Sequence, residues 1–136
     1  MSELTTADRL AIQETLHRYC HYLDRGRWEE FATLFTDDCC LDLSQVLGRY
    51  DGVAGIRQFT ETLRSVDLFM RHLIMNIVID GNGERARTAS YVIAITGPPG
   101  DAQQQTTGLY EDELIKRGGR WLLHRRRLAL DVPPAE

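Results

Sequence analysis

Apolar residues recur at two different periods along this chain, and the change of period divides it in two. Near the start, Ile12, Leu16, Tyr19, Cys20 and Leu23 follow helical spacing, which predicts a first helix capped by Thr6 or Asp8 and stopped by Gly26. A second, short helix carries Trp28, Phe31, Ala32 and Phe35 on one face. Thr36-Asp37-Asp38 ends it, and Cys39 to Leu43 reads as a short strand. Gly48 to Gly55, punctuated by glycine and aspartate, reads as loop. A third helix runs from Gly55 to Arg64 with Ile56, Phe59 and Leu63 turned inward.

Beyond that helix the period shortens. Phe69 to Asp80 is dense in Leu, Ile, Val and Met and predicts a long strand, and Asp80-Gly81-Asn82-Gly83 is a strong hairpin signal. Arg85 to Thr96 is the next strand, broken by Gly97-Pro98-Pro99-Gly100 and a polar loop to Gln105. Thr106 to Lys116 and Arg120 to Asp131 form two more strands around Gly118-Gly119, and Val132 to Glu136 reads as an extension. Three helices and one early strand therefore precede a four-strand antiparallel meander. Such segregation means an α+β fold, with the three N-terminal helices against a strongly curved, mainly antiparallel sheet. A bent sheet closed by helices makes a cone whose hollow suits a small apolar ligand.

Length and charge narrow the function classes. A chain of 136 residues suits one domain, here 1–136 with a core of about 6–131. The net charge of -4 argues against a nucleic-acid partner, because phosphate recognition needs a basic face. The one basic run, Arg125-Arg126-Arg127, reads as a strand with alternate residues in solvent. No apolar run approaches the roughly 20 residues of a membrane span, and the N-terminus has no signal-peptide pattern. Cys20, Cys39 and Cys40 show no zinc-site spacing and are expected to be reduced thiols of a cytoplasmic protein.

Few residues carry chemistry. Asp24 ends the first helix on the edge of its apolar stripe, where a carboxylate needs a partner; capping the turn or pairing with Arg25 or Arg27 would serve as well as a catalytic role. His72 stands near the start of an otherwise apolar strand, and alternation places His72, Ile74, Asn76 and Val78 on one face. A buried Asp–His pair has a specific use. The carboxylate fixes the imidazole tautomer, and the other ring nitrogen then acts as a base near neutral pH. Tyr19, on the helix stripe, could donate to a substrate carbonyl or leaving hydroxyl; Tyr22, Tyr91 and Tyr110 are weaker versions of the same idea. Arg127 shares strand parity with Trp121 and so is a candidate for an anionic group in the hollow. His17 and His21 lie one helical turn apart without a third ligand, so no metal site is expected. No phosphate loop or nucleophile elbow is present, and no cofactor is expected.

Four stretches carry a family likeness: Tyr19 to Trp28, Leu34-Phe35-Thr36-Asp37-Asp38, Arg71 to Asn76, and Gly119-Arg120-Trp121. Together they resemble the SnoaL-like branch of the nuclear transport factor 2-like superfamily over roughly Thr6 to Asp131. Within it, the pattern is most similar to that of scytalone dehydratase and the bile acid dehydratases. The resemblance implies that Asp24, His72 and Tyr19 are the catalytic positions. It implies a cofactor-independent lyase, a dehydratase, that abstracts a proton beside a carbonyl in a small cyclic, steroid or polyketide-like substrate. Asn76, Arg127, Tyr110 and Tyr91 are the candidate substrate contacts. The second pocket histidine of scytalone dehydratase is absent, Ser90, Tyr91 or Thr96 standing in its region. No inward-facing acidic strand residue of the isomerase type is evident, nor the paired aspartates with an arginine of limonene epoxide hydrolase. The same trio could run an isomerisation or cyclisation. A second class is a non-catalytic binding module, like the small subunits of ring-hydroxylating dioxygenases. A homo-oligomer, dimer or trimer, is expected because the convex sheet face carries apolar residues that want cover.

Overall fold

A computed structural model describes residues 2–132 of the chain. The first helix, α1 (Thr6–Asp24), is capped by Thr5 rather than by Thr6 or Asp8, the two residues the sequence offered. Thr5 Oγ1 accepts from the Asp8 backbone N–H and Asp8 Oδ2 accepts from the Thr5 N–H, each at 3.0 Å, which closes a capping box. At the other end Gly26 adopts φ +67, the left-handed turn that few other residues tolerate, and Arg27 N–H returns to Tyr22 O at 2.8 Å. The buried face of α1 holds Ile12, Leu16, Tyr19, Cys20 and Leu23, the stripe expected from the spacing.

Helix α2 (Trp28–Ala32) is a single turn that buries Phe31. Phe35, expected on this helix, instead opens β1 (Phe35–Leu43). The segment expected as loop contains β2 (Gly48–Asp51) and the first turn of α3 (Gly52–Arg64). Pairing with β1 decides this against local glycine content: Leu41 stands opposite Tyr50 and Cys40 opposite Asp51. The meander follows as β3 (Phe69–Asn82), β4 (Arg85–Gly97), β5 (Gln104–Arg117) and β6 (Arg120–Leu130). The tail from residue 133 onward lies outside the described residues.

The six strands lie in the order β2-β1-β6-β5-β4-β3, all antiparallel except β1 against β6. This is the expected α+β architecture. The helices cover one face of the sheet, and the core between them runs from Ile12, Leu16 and Tyr19 to Leu41, Leu114 and Leu123. Five aromatic rings stack through its middle, Tyr19, Phe31, Phe35, Phe59 and Tyr50, in contacts of 5.0 to 6.2 Å. Burial of these rings and of the aliphatics around them is the main stabilising term of such a domain.

Two irregularities decide which side chains enter the hollow. In β3 the register with β4 shifts between Met75 and Val78, and Asn76 sits at φ +54. In β6 the register with β5 shifts so that Glu113 faces Arg125 while Leu114 faces Leu123, leaving His124 as the extra residue. Each bulge reverses the inward–outward alternation beyond it. His72 and Ile74 therefore face inward before the first bulge, but Ile77 and Ile79 do so after it, while Asn76 and Val78 are exposed. In β6, Trp121 and Leu123 face inward, and then Arg126 does.

Candidate active site

Asp24 is the last residue of α1, and His72 lies four positions into β3, which packs against that helix. The two meet. Asp24 Oδ2 accepts from the His72 backbone N–H at 2.7 Å, and Asp24 Oδ1 lies 2.5 Å from His72 Nδ1. An ionised carboxylate only accepts, so this contact selects the neutral tautomer with the proton on Nδ1, in which Nε2 carries the lone pair. Both side chains are largely buried, at 6% exposed for Asp24 and 12% for His72. Two donors from one residue thus fix the carboxylate, and the carboxylate fixes the imidazole.

His72 faces a cavity of about 250 Å³ bounded by Tyr19, Leu23, Phe59, Met70 and Tyr110. The rest of the wall is mainly aliphatic, with polar groups from Thr96, Gln104, Thr106 and Thr107. Asp24 lies behind the imidazole, outside this cavity. The arrangement offers a base to an apolar ligand and keeps the charge that supports the base out of the ligand's reach. Burial pushes the Tyr19 phenol up to about 12, with the Arg126 charge opposing it, so Tyr19 is a neutral donor throughout the physiological range. Burial also raises Tyr110 well above its ordinary value.

Three expected substrate contacts stand elsewhere. Asn76 is the exposed bulge residue of β3, because the extra residue turns it away from the face that His72 occupies. Tyr91 lies on the outer face of β4 and is 58% exposed, since inward alternation runs through Ser90 and Val92. Arg127 is exposed on the outer face and approaches Glu111 at 3.7 Å, because the β6 bulge reverses the parity counted from Trp121. Tyr110, on the inward face of β5, does line the cavity. His17 and His21 are exposed on α1, and among the described residues no three His, Cys, Asp or Glu side chains are grouped to hold a metal. His124 is held by Thr36 Oγ1 at 3.0 Å. The three cysteines are free, and no helix among the described residues is long and apolar enough to cross a membrane.

The largest feature missed by the sequence lies under the cavity. Arg126, one of the three arginines expected at a solvated strand face, has a side chain with no exposed surface. Its Nε donates to Asp112 Oδ1 at 2.8 Å and its Nη2 to Oδ2 at 2.9 Å, and Thr88 Oγ1 donates to the same carboxylate at 3.0 Å. The guanidinium is sandwiched between aromatic faces, 4.2 Å from the Tyr19 centroid and 3.8 Å from that of Tyr110. Burial works against its charge, and the Asp112 carboxylate overrides that, so the guanidinium is held more firmly protonated than usual. Asp112 is also the inward acidic strand residue that the sequence did not reveal. Simple alternation from Tyr110 would have found it.

Comparison with known proteins identifies the family. The model of a SnoaL-like domain family matches residues 4–127. A protein of Mycobacterium tuberculosis (strain H37Rv) with no characterized function is 29% identical over 132 residues, covering 93% of this chain and 87% of its own. A candidate aromatic ring hydroxylase from Novosphingobium aromaticivorans superposes with a TM-score of 0.84 at 28% identity, covering 96% of this chain and 94% of its own. A candidate scytalone dehydratase from the same organism superposes with a TM-score of 0.81 at 26% identity, covering 94% and 87%.

Proposed function

Since the chain belongs to the SnoaL-like family of the nuclear transport factor 2-like fold, we propose that it is a cofactor-independent lyase that removes water from a small cyclic β-hydroxy carbonyl compound. Family membership and the scytalone dehydratase likeness support an isomerase- or dehydratase-type activity on a small molecule in general. The observation that carries the finer reading is the double hydrogen bond of Asp24 to His72 at the wall of an apolar cavity.

In this reading His72 Nε2 takes the proton from the carbon beside the carbonyl, and the electron pair moves onto the carbonyl oxygen as an enolate. Asp24 stabilises the imidazolium that forms. Tyr19 donates to the carbonyl oxygen and Tyr110 helps place the ring system. The enolate then collapses, the C–O bond to the β-hydroxyl breaks, and the imidazolium returns its proton to the departing oxygen as water. Isomerisation and cyclisation begin with the same abstraction. Apolar residues on the outer sheet face, Leu73, Val78 and Tyr91, would be covered in a homo-oligomer.

The test uses 3-hydroxy-1-tetralone, whose loss of water followed by tautomerisation gives 1-naphthol and is followed by absorbance. His72→Gln and Asp24→Asn should each lower the rate by about 10²- to 10⁴-fold while the circular dichroism stays unchanged. Equal rates in folded wild type and folded His72→Gln would end this reading. The likeness to the candidate aromatic ring hydroxylase favours one alternative, a non-catalytic module of an oxygenase complex. That alternative predicts no turnover by the purified chain and stable co-purification with a larger oxygenase subunit.

A further inference from the structure

The inward face of the sheet changes character along its length. In register, His72 stands opposite Ala94 on β4, and Ala94 opposite Thr106 on β5. One inward row to one side stand Ile74, Val92 and Gly108, with no polar side-chain atom among them. One row to the other side stand Met70, Thr96 and Gln104. Thr96 is half-buried, Thr106 and Gln104 are exposed, and all three line the cavity that His72 faces, so they mark where it opens. Val46, Leu47 and Leu68 line the same cavity and are each about half exposed. The turn that carries Val46 and Leu47 is pinned where Gln45 Oε1 accepts from the Leu130 N–H at 2.7 Å. The opening thus joins a polar rim, on β4 and β5, to apolar lips before β3 and between β1 and β2.

The rim hydroxyls are uncommitted. Other threonines of this chain spend theirs inside the protein: Thr15 Oγ1 donates to Trp121 O at 2.7 Å, Thr60 Oγ1 to Arg57 O at 3.0 Å and Thr88 Oγ1 to Asp112 at 3.0 Å. Among the described residues, no side-chain hydrogen bond uses Thr96, Gln104 or Thr106. Each hydroxyl can donate and accept, and the Gln104 amide can do both as well. The cavity lining holds no Arg, Lys, Asp or Glu. A carboxylate or phosphate at the rim would lose water without meeting a counter-charge, whereas a neutral polar group loses little and gains partners. Ala94 is the small residue between His72 and Thr106, and two strand spacings separate their Cα atoms by roughly 10 Å, which leaves room for a ring over Ala94.

We propose that Thr96, Gln104 and Thr106 form a rim subsite for a neutral hydroxyl or amide group at the outer end of an apolar ligand, whose ring lies over Ala94 beside His72. The ligand class is therefore amphipathic and uncharged, with its apolar body inward. This goes beyond the proposed reaction and rests on that reading only for taking this cavity as the ligand's site.

The test compares three probes with one ring and one short arm: ethylbenzene, 2-phenylethanol and phenylacetate. The cavity of about 250 Å³ admits such a ring, since an apolar cavity of roughly 150 Å³ already binds benzene. Affinities are read from NMR shift titrations. Wild type should bind 2-phenylethanol roughly two- to tenfold more tightly than ethylbenzene, the range for a neutral hydrogen bond, and the Thr96 and Thr106 methyl shifts should move with the alcohol. In Thr96→Val/Gln104→Leu/Thr106→Val that preference should vanish while ethylbenzene still binds. Equal affinities in wild type would overturn the proposal, as would a preference that survives in the triple variant, or the absence of binding by either probe. In His72→Gln, where no titratable base lines the cavity, 2-phenylethanol should outbind phenylacetate by at least about tenfold; phenylacetate binding more tightly would overturn the neutral assignment. Turnover of 3-hydroxy-1-tetralone without a rim preference would sink this inference alone, and a rim preference without turnover would sink the lyase reading alone.

Discussion

Breaking the Arg126–Asp112 pair on one side should cost far more than replacing both partners. The two charges meet through contacts of 2.8 and 2.9 Å with no exposed side-chain surface on either residue. At a separation of charge centres near 4 Å and an effective dielectric of about 20, their attraction is about 4 kcal/mol. Asp112→Leu leaves the guanidinium between two tyrosine faces with no counter-charge, and Arg126→Met leaves a carboxylate supported by Thr88 alone. Each single variant should lose about 3–5 kcal/mol, as uncompensated buried charges do. For a chain of this length that is about 10–20 °C in melting temperature. The double variant fills the same space with apolar atoms and should lie within about 1–2 kcal/mol of wild type, the remainder including the stranded Thr88 hydroxyl. Urea denaturation followed by far-ultraviolet dichroism measures all four corners of the cycle. If the double variant loses the sum of the two single losses, the pair is not coupled and the reasoning from burial is wrong.

Burial raises Tyr19 to about 12 and Cys20 to about 11, so the fold holds both in their neutral forms. The stability this supplies is complete below about pH 9 and is lost as pH rises through those values, by about 3 kcal/mol for Tyr19. A urea midpoint that stays level from pH 8.5 to 11.5 would contradict this. Asp8 is held well below the usual carboxylate range by the Thr5 N–H first, then by Trp121 and Lys116, so its contribution is present above about pH 4 and fades on acidification; Asp8→Asn should flatten the acid limb of the stability curve between pH 5 and 2. Gly55→Ala should destabilise by about 1–3 kcal/mol, because a Cβ there would stand 2.8 Å from the Tyr50 carbonyl carbon and push α3 off β2; a melting temperature equal to wild type would show that the helix shifts freely. Asn76→Val should cost about 1–2 kcal/mol through the φ of +54, whereas Asn76→Gly should be tolerated, and thermal melts of the two distinguish backbone strain from side-chain loss.

Much of the fold was legible because the helix stripe from Ile12 to Leu23 and the hairpin signal at Asp80 to Gly83 are local patterns with strong physical causes. The positions of Asp24 and His72 were also legible, since each lies on a regular element close to its start or end, before any irregularity intervenes. What alternation could not supply was the phase beyond a bulge. Counting by twos from His72 places Asn76 in the hollow, and counting from Trp121 places Arg127 there; in both strands one extra residue intervenes. Arg126 was hidden for the same reason and because a triple-arginine run resembles a wet surface. Asp112 needed no bulge correction, and only its charge disguised it. Strand β2 was obscured by glycines whose local preference for turns gives way to pairing with β1.

The bulge at Asn76 acts on β3 as a frameshift acts on a message. Upstream of it the strand is in the frame that delivers His72 to the ligand, and downstream it is in the frame that delivers Ile77 and Ile79 to the core. Deleting one residue there would leave every remaining side chain chemically intact and yet make the two frames incompatible. Either the core would keep its isoleucines and the imidazole would turn outward, or the reverse. The extra residue lets one continuous strand serve two masters, and a single-codon deletion at this point should cost the protein either its chemistry or its packing.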